Sequence, residues 1–282
     1  MAITNFGGDE VLYGYDESKI IIVPVPYDAT STYIRGADKG PAAILEASLA
    51  LEFYDIETGS EAHRQGIHTI APLESGDDPE EITEAVYQSV SRILSEHRFP
   101  VVIGGNHTVS IGAFRAVAEA FTDITILQLD AHSDLRPVYE GSPLNHACAA
   151  ARAREHAPLV QVGIRSMSAE ELPFVDRKRI FYAHELYSDK SLYDRALDLL
   201  SGNVYITVDL DVFDPSVMPS TGTPEPGGPD YRELMFFLRE VFLKRNVVGF
   251  DVVELCPSES NKAPDFMAAK VIYQMLSYKF GL

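Results

Sequence analysis

The chain has 282 residues, of which 46% are apolar and 23% charged, the profile of a globular protein long enough to bury a large core without disulfides or a structural metal. A formal charge of −19, from 42 acidic against 23 basic residues, argues against nucleic acid as a partner, because little here could neutralise a phosphate backbone. Two cysteines, Cys148 and Cys256, make no disulfide framework and read as reduced thiols.

The opening MAITNFGGDE has neither the basic start nor the apolar run of a signal peptide. No apolar stretch of about 18 residues follows, so a cytoplasmic location without membrane contact is expected. Ile20–Val23 reads as the first strand and Pro41–Phe53 as the first helix, with Pro41 suited to a first helical position. A second helix, Pro79–His97, opens on the good start Asp78-Pro79-Glu80-Glu81. Strand Val101–Ile103, helix Val109–Phe121, strand Ile124–Leu129, helix His146–His156 and strand Leu159–Val162 come next. Helix Leu192–Leu200, strand Val204–Val208, helix Tyr231–Leu243, strand Val247–Val253 and helix Ala263–Tyr278 complete the series. Most of these strands are nearly continuous in apolar residues, as strands of a parallel sheet covered on both faces are. Strand and helix alternating throughout predict an α/β fold in one domain spanning 1–282, with helices on both faces. The Pro- and Gly-rich segment Asp214–Pro229 reads as a loop beside the functional site rather than a spacer.

Ligands of an open parallel sheet bind at the carboxyl ends of its strands. Here those ends carry Gly104-Gly105-Asn106-His107, Asp130-Ala131-His132-Ser133-Asp134, Asp209-Leu210-Asp211 and Glu254. Residues two apart in an extended segment share a face, so Asp130, His132 and Asp134 point one way, and Asp209 and Asp211 likewise. Carboxylates and imidazoles this crowded repel unless a cation holds them. Carboxylates with histidines suit Mn²⁺ readily, Zn²⁺ less well and Mg²⁺ seldom. Four aspartates and two histidines exceed what one ion needs, which predicts two ions. His63, His68, His97, His156 and His184 lie outside this frame and read as ordinary surface or packing histidines. No G-x-S-x-G elbow, G-x-x-x-x-G-K-[ST] loop or G-x-G-x-x-G turn is present.

With these motifs, and with V-P-Y-D-A-T-S-T-Y (25–33), G-P-A-A-I-L-E-A-S (40–48), G-T-P-E-P-G-G (222–228) and V-V-E-L-C-P (252–257), the chain resembles the ureohydrolase family of arginases and agmatinases. The resemblance runs from Ile20 to Tyr278. It implies a three-layer αβα sandwich with a mostly parallel, about eight-stranded sheet, two Mn²⁺ ions per chain and a homo-oligomer, trimer or hexamer. Carried over residue by residue, His107 and Asp134 bind one ion, His132 and Asp211 the other, and Asp130 and Asp209 bridge both. Asp134 also orients the nucleophile, His146 falls where the family places a proton shuttle, and Glu254 where it places the carboxylate for the guanidinium. Without the resemblance His146 reads as a surface residue at a helix end. Asn106 stands where many relatives have an acid, which removes a charge beside the metal ligands and implies weaker metal binding.

The implied partner is a small cationic guanidinium substrate, which the chain's acidity would concentrate. The same acidity also keeps a protein in solution or suits a salty habitat. The stretches 134–146 and 163–167 lack the arginase pattern for an amino-acid tail and resemble agmatinases. Agmatine is therefore expected, with N1-aminopropylagmatine, guanidinobutyrate and arginine as alternatives. An inactive regulatory paralogue is a further alternative, against which all six candidate ligands stand. In the loop before His146, Glu140 is the expected anion for an ammonium tail, and Arg136 the cation that could meet a carboxylate.

Overall fold

The structure is a computed structural model describing residues 4–11, 13–74 and 76–282; residues 1–3, part of the segment inspected for a leader, lie outside it. One sheet contains β1 (Ile20–Val25), β2 (Ile67–Thr69), β3 (Phe99–Gly104), β4 (Ile124–Leu129), β5 (Leu159–Ile164), β6 (Ile180–Tyr182), β7 (Asn203–Asp209) and β8 (Asn246–Val253). Its spatial order is β2-β1-β3-β8-β7-β4-β5-β6, and every neighbouring pair is parallel.

The apolar runs are continuous because each strand feeds two cores. In β1, Ile20 and Ile22 enter one core while Ile21, Val23 and Val25 enter the other. The first core is closed by α1 (Gly40–Ser48), α5 (Ala183–Ser188), α6 (Ser191–Asp198), α7 (Tyr231–Lys244) and α8 (Ala263–Gly281), through side chains such as Ile44, Leu186, Leu197, Leu238 and Ile272. The second lies under α2 (Pro79–Ser95), α3 (Ser110–Ala120) and α4 (Ala149–His156), through Val86, Phe114 and Ala153. Three layers result, as expected. Among the described residues no helix is long and apolar enough to cross a membrane.

All six expected strands form. The two not foreseen, β2 and β6, are three-residue strands at the sheet's edges, too short to show a period. The first helix stops at Ser48 instead of Phe53. The hydroxyl of Ser48, the last residue of α1, accepts the N–H of Gly7 (2.9 Å) and donates to the Leu45 carbonyl (2.6 Å). Leu51 and Phe53 still bury beyond it, so apolar spacing outlives the helix. Helix α2 begins where expected, with the Asp78 carboxylate accepting the Glu80 N–H at 2.8 Å.

Helices α2 and α3 touch backbone to backbone at Gly112. A Cβ there would lie 2.1 Å from the Thr83 carbonyl oxygen and 2.8 Å from the Tyr87 nitrogen. Gly112→Ala gains about 1 kcal/mol of helix propensity. Overpacking a close-packed contact costs roughly 1–3 kcal/mol or more. The obstacle is backbone, so overpacking wins. A net loss on the order of 1 kcal/mol is expected, read as a lower urea midpoint at unchanged slope; a midpoint equal to wild type or above it would show that the two helices separate freely.

Candidate metal centre and active site

The four central strands, β3, β8, β7 and β4, carry the expected residues to one edge of the sheet. The turn after β3 is wedged between two neighbours. The Gly105 N–H donates to Val25 (2.8 Å), its carbonyl accepts the Glu254 N–H (2.7 Å), and a Cβ would lie 1.9 Å from the Tyr27 oxygen. Only glycine permits this approach. It places the His107 N–H on Glu254 Oε1 at 2.8 Å, joining the ends of β3 and β8.

His107 is buried, and its Nδ1 faces Asp130 Oδ2 at 3.2 Å, Asp134 Oδ2 at 3.2 Å and Asp209 Oδ2 at 3.4 Å. On the other side of the ring the Thr207 hydroxyl donates to Asp251 Oδ1 (2.5 Å), so its oxygen accepts from His107 Nε2 (2.9 Å). That contact assigns the ring proton to Nε2 and leaves a lone pair on Nδ1. Nδ1 has no hydrogen-bond partner among the described residues. An orphaned lone pair amid three carboxylates is the chemistry a divalent cation satisfies.

A second group lies alongside. His132 Nδ1 stands 2.8 Å from Asp211 Oδ2 and 3.7 Å from Asp130 Oδ1. Two compact donor sets follow, His107 with Asp130 and Asp134, and Asp130 with His132 and Asp211, each with its donor atoms within 4.8 Å of one another. Asp130 belongs to both sets, as a bridging carboxylate must. Asp209 joins them through His107 and through the Asp211 N–H, which donates to its Oδ1 at 2.9 Å. Oxygen and imidazole donors of this kind fit the expected ion pair.

Without a cation, protons stand in. Burial and the neighbouring Asp134 and Asp211 push Asp130 up to about 7. Burial, then Asp211 and Asp130, hold Asp209 well above the carboxylate range. Burial pulls His107 down, but Asp130, Asp134 and Asp209 outweigh it and raise the imidazole well above its ordinary value. His132, lowered by burial and raised more by Asp211 and Asp130, reaches about 11. Burial raises Asp211 too, yet His132 brings it to about 2.

Asp134 and Glu254 both adopt left-handed backbone, at φ 50° and 68°. This region is sparse for residues with a Cβ and is tolerated where surrounding structure imposes it. Burial lifts Glu254 to about 8 against the opposing His107 N–H. His146 opens a 3-10 turn before α4; its Nδ1 lies 3.8 Å from Glu254 Oε1 and its Nε2 3.4 Å from the Thr32 hydroxyl. It lines the cavity, so it is no helix-end surface residue, and burial lowers its pKa. The cavity, about 430 Å³, is also lined by His132, Asp134, Asp209, Asp211 and Glu254. All eight expected residues thus come together.

Other expectations change. The Asn106 side chain turns away from the donor sets. Its amide donates to Thr30 (2.8 Å) and Ser31 (3.1 Å), tying down the loop that carries Thr32. Glu140 is exposed and outside the cavity wall, where Glu171 stands instead. Thr207, Asp251 and Gln128 belong to none of the sequence motifs, although the Gln128 amide donates to Asp130 Oδ2 at 2.6 Å. Glu171 left a readable trace: Ser168-x-x-Glu171 is a capping box, and it forms. Cys148 and Cys256 are free, as expected.

A family model described as the arginase family matches residues 18–277. The N(1)-aminopropylagmatine ureohydrolase of Synechocystis sp. is 36% identical over 280 residues, 95% of this chain and 92% of the relative. The agmatinase of Halalkalibacterium halodurans is 33% identical over 275 residues, covering 93% and 92%. The solved agmatine ureohydrolase of Thermoplasma volcanium superposes with a TM-score of 0.89 at 30% identity, covering 99% of this chain and 95% of that one.

Cations entering this centre must displace protons from His107, His132 and Asp130, so affinity rises as pH climbs through about 7. Titrating metal-free protein with Mn²⁺ in weak buffer is expected to release protons and saturate at about two ions per chain. Binding at pH 8 should be roughly tenfold or more tighter than at pH 6. Saturation at one ion, or binding indifferent to pH, would contradict the shared-carboxylate arrangement.

Proposed function

The chain belongs to the arginase family and is a ureohydrolase, a hydrolase of guanidino C–N bonds, and on that premise we propose that its substrate carries a guanidinium at one end and an amine at the other. Agmatine, giving putrescine and urea, is the simplest such molecule. N1-aminopropylagmatine is the second reading, supported by the activity for which the Synechocystis relative is named. The observation that carries the amine-tailed class is the cavity wall. Among its described residues Arg136 is the only arginine or lysine, and it is already paired with Glu171. An arriving carboxylate finds no unpaired guanidinium or ammonium there, and burying one unpaired costs several kcal/mol.

On this reading His107 and Asp134 would hold one Mn²⁺, His132 and Asp211 would hold the other, and Asp130 and Asp209 would serve both. When bound, the two ions would supply a nucleophile at neutral pH by lowering the pKa of water towards about 7. Glu254 accepts hydrogen bonds from the guanidinium nitrogens. Its Oε1 is held by the His107 N–H, and Oε2 has no protein donor among the described residues. A cation beside Glu254 restores its charge against the burial that raises it. Asp134 orients the nucleophile and takes its proton. The departing amine needs a proton, which Asp134 returns and His146, between Glu254 and Thr32, relays from solvent. The same reading takes residues 1–282 as one domain of a cytoplasmic homo-oligomer.

His146→Ala is expected to slow turnover on the order of 10²-fold while both ions stay bound, since the imidazole is assigned to neither. Wild-type turnover would remove His146 from the proton path. For the substrate, urea release from agmatine, aminopropylagmatine, guanidinobutyrate and arginine is measured side by side. The amine-tailed pair should exceed arginine in kcat/KM by roughly 10²-fold or more. Arginine equal to or ahead of both would overturn the assignment.

A further inference from the structure

We propose that Glu171 determines which tail the enzyme accepts, by masking Arg136 so that guanidines ending in a carboxylate are refused; this rests on the amine-tailed reading above. Arg136 follows Asp134 by two residues, and both line the cavity. Its guanidinium lies over the Tyr139 ring, 4.3 Å from the centroid, and its Nε is 3.7 Å from Glu171 Oε2. The Arg136 side chain is 28% exposed and that of Glu171 only 4%, so a partly open cation backs onto a buried anion. An arginine placed like this without a partner would be a bidentate receptor for a carboxylate.

Glu171 does not depend on Arg136 for its position. Its Oε1 accepts the Ser133 hydroxyl at 2.5 Å and the Leu135 N–H at 2.8 Å, and its Oε2 accepts the Ser168 N–H at 2.6 Å. The first two donors flank Asp134 and the third belongs to the loop after β5. The negative charge is thus built into the frame of the centre, and Arg136 settles against it. A substrate carboxylate reaching Arg136 would share the guanidinium with a second carboxylate a few ångströms away. Like charges so placed, away from bulk water, repel strongly. An ammonium tail meets no such penalty, because the pair is neutral as a whole.

Glu171→Gln keeps the side chain's shape and one acceptor oxygen while removing the charge. The measured quantity is kcat/KM for 4-guanidinobutyrate divided by that for agmatine. Both substrates see the same enzyme sample, so a loss of folded or metal-loaded protein cancels from the ratio. The ratio should rise about tenfold or more in Glu171→Gln. It should return to the wild-type value in Glu171→Gln/Arg136→Gln. An unmoved ratio, or a rise that survives loss of Arg136, overturns the masking. Arg136→Gln alone breaks no buried hydrogen bond and tests the pair even if Glu171→Gln fails to fold. Uncovering Glu171 should lower the KM for agmatine several-fold, and an unchanged or higher KM counts against the proposal. Wild type preferring 4-guanidinobutyrate would defeat the amine-tailed reading itself; wild type preferring agmatine with both variants unmoved would defeat only the masking.

Discussion

Like charges crowded where water is scarce govern this protein. Adjacent parallel strands stand about 4.8 Å apart, so side chains leaving the ends of β3, β8, β7 and β4 have no room to separate. Asp130, Asp209, Asp211 and Glu254 are all buried there. Only opposite charge or protons make that arrangement tolerable. The displaced pKa values of Asp130, Asp209, His107 and His132 are one repulsion expressed at several atoms. Frame and centre are therefore one problem: the sheet supplies the crowding, and the crowding supplies the affinity for cations.

Rigidity around the centre follows from the same need. The left-handed backbone of Asp134 and Glu254 would relax if the surroundings let it. Asp134 is held by its carbonyl, which accepts the Ala151 N–H at 3.0 Å, and Glu254 by its N–H on Gly105. The hydrogen bonds of Gln128 to Asp130 and of His107 to Thr207 aim donor atoms that would otherwise turn aside. Arg165 braces the far side, donating to the carbonyls of Asp211, Val212 and Glu225. It joins the turn after β7 to the Pro- and Gly-rich loop that the sequence placed beside the site.

What could be read in advance sorts by physical distance along the chain. The long strands were legible because burial on both faces leaves an uninterrupted apolar run, and the metal residues because each motif directly follows such a strand. Strands β2 and β6 were not, since three residues at an edge carry no period. Thr207 and Asp251 lie inside β7 and β8, where a polar side chain looks like an imperfection until His107 is found beside it. Glu171 announces itself only as a helix cap, because its charge matters to residues some 35 positions earlier. By analogy Asn106 is a weakened metal neighbour, whereas its amide serves a loop near residue 30 that spacing along the chain could not connect to it.

The strand order has a consequence for how the molecule comes into being. Strands β7 and β8 follow the other six strands along the chain, yet they occupy the middle of the sheet. They separate β3 from β4 by three strand spacings, roughly 14 Å. The separation of the strands that carry His107 and Asp134 is therefore fixed only when β8 and β7 are seated between them. The last third of the chain must insert as a wedge, through pairings distant in sequence that are slow to find.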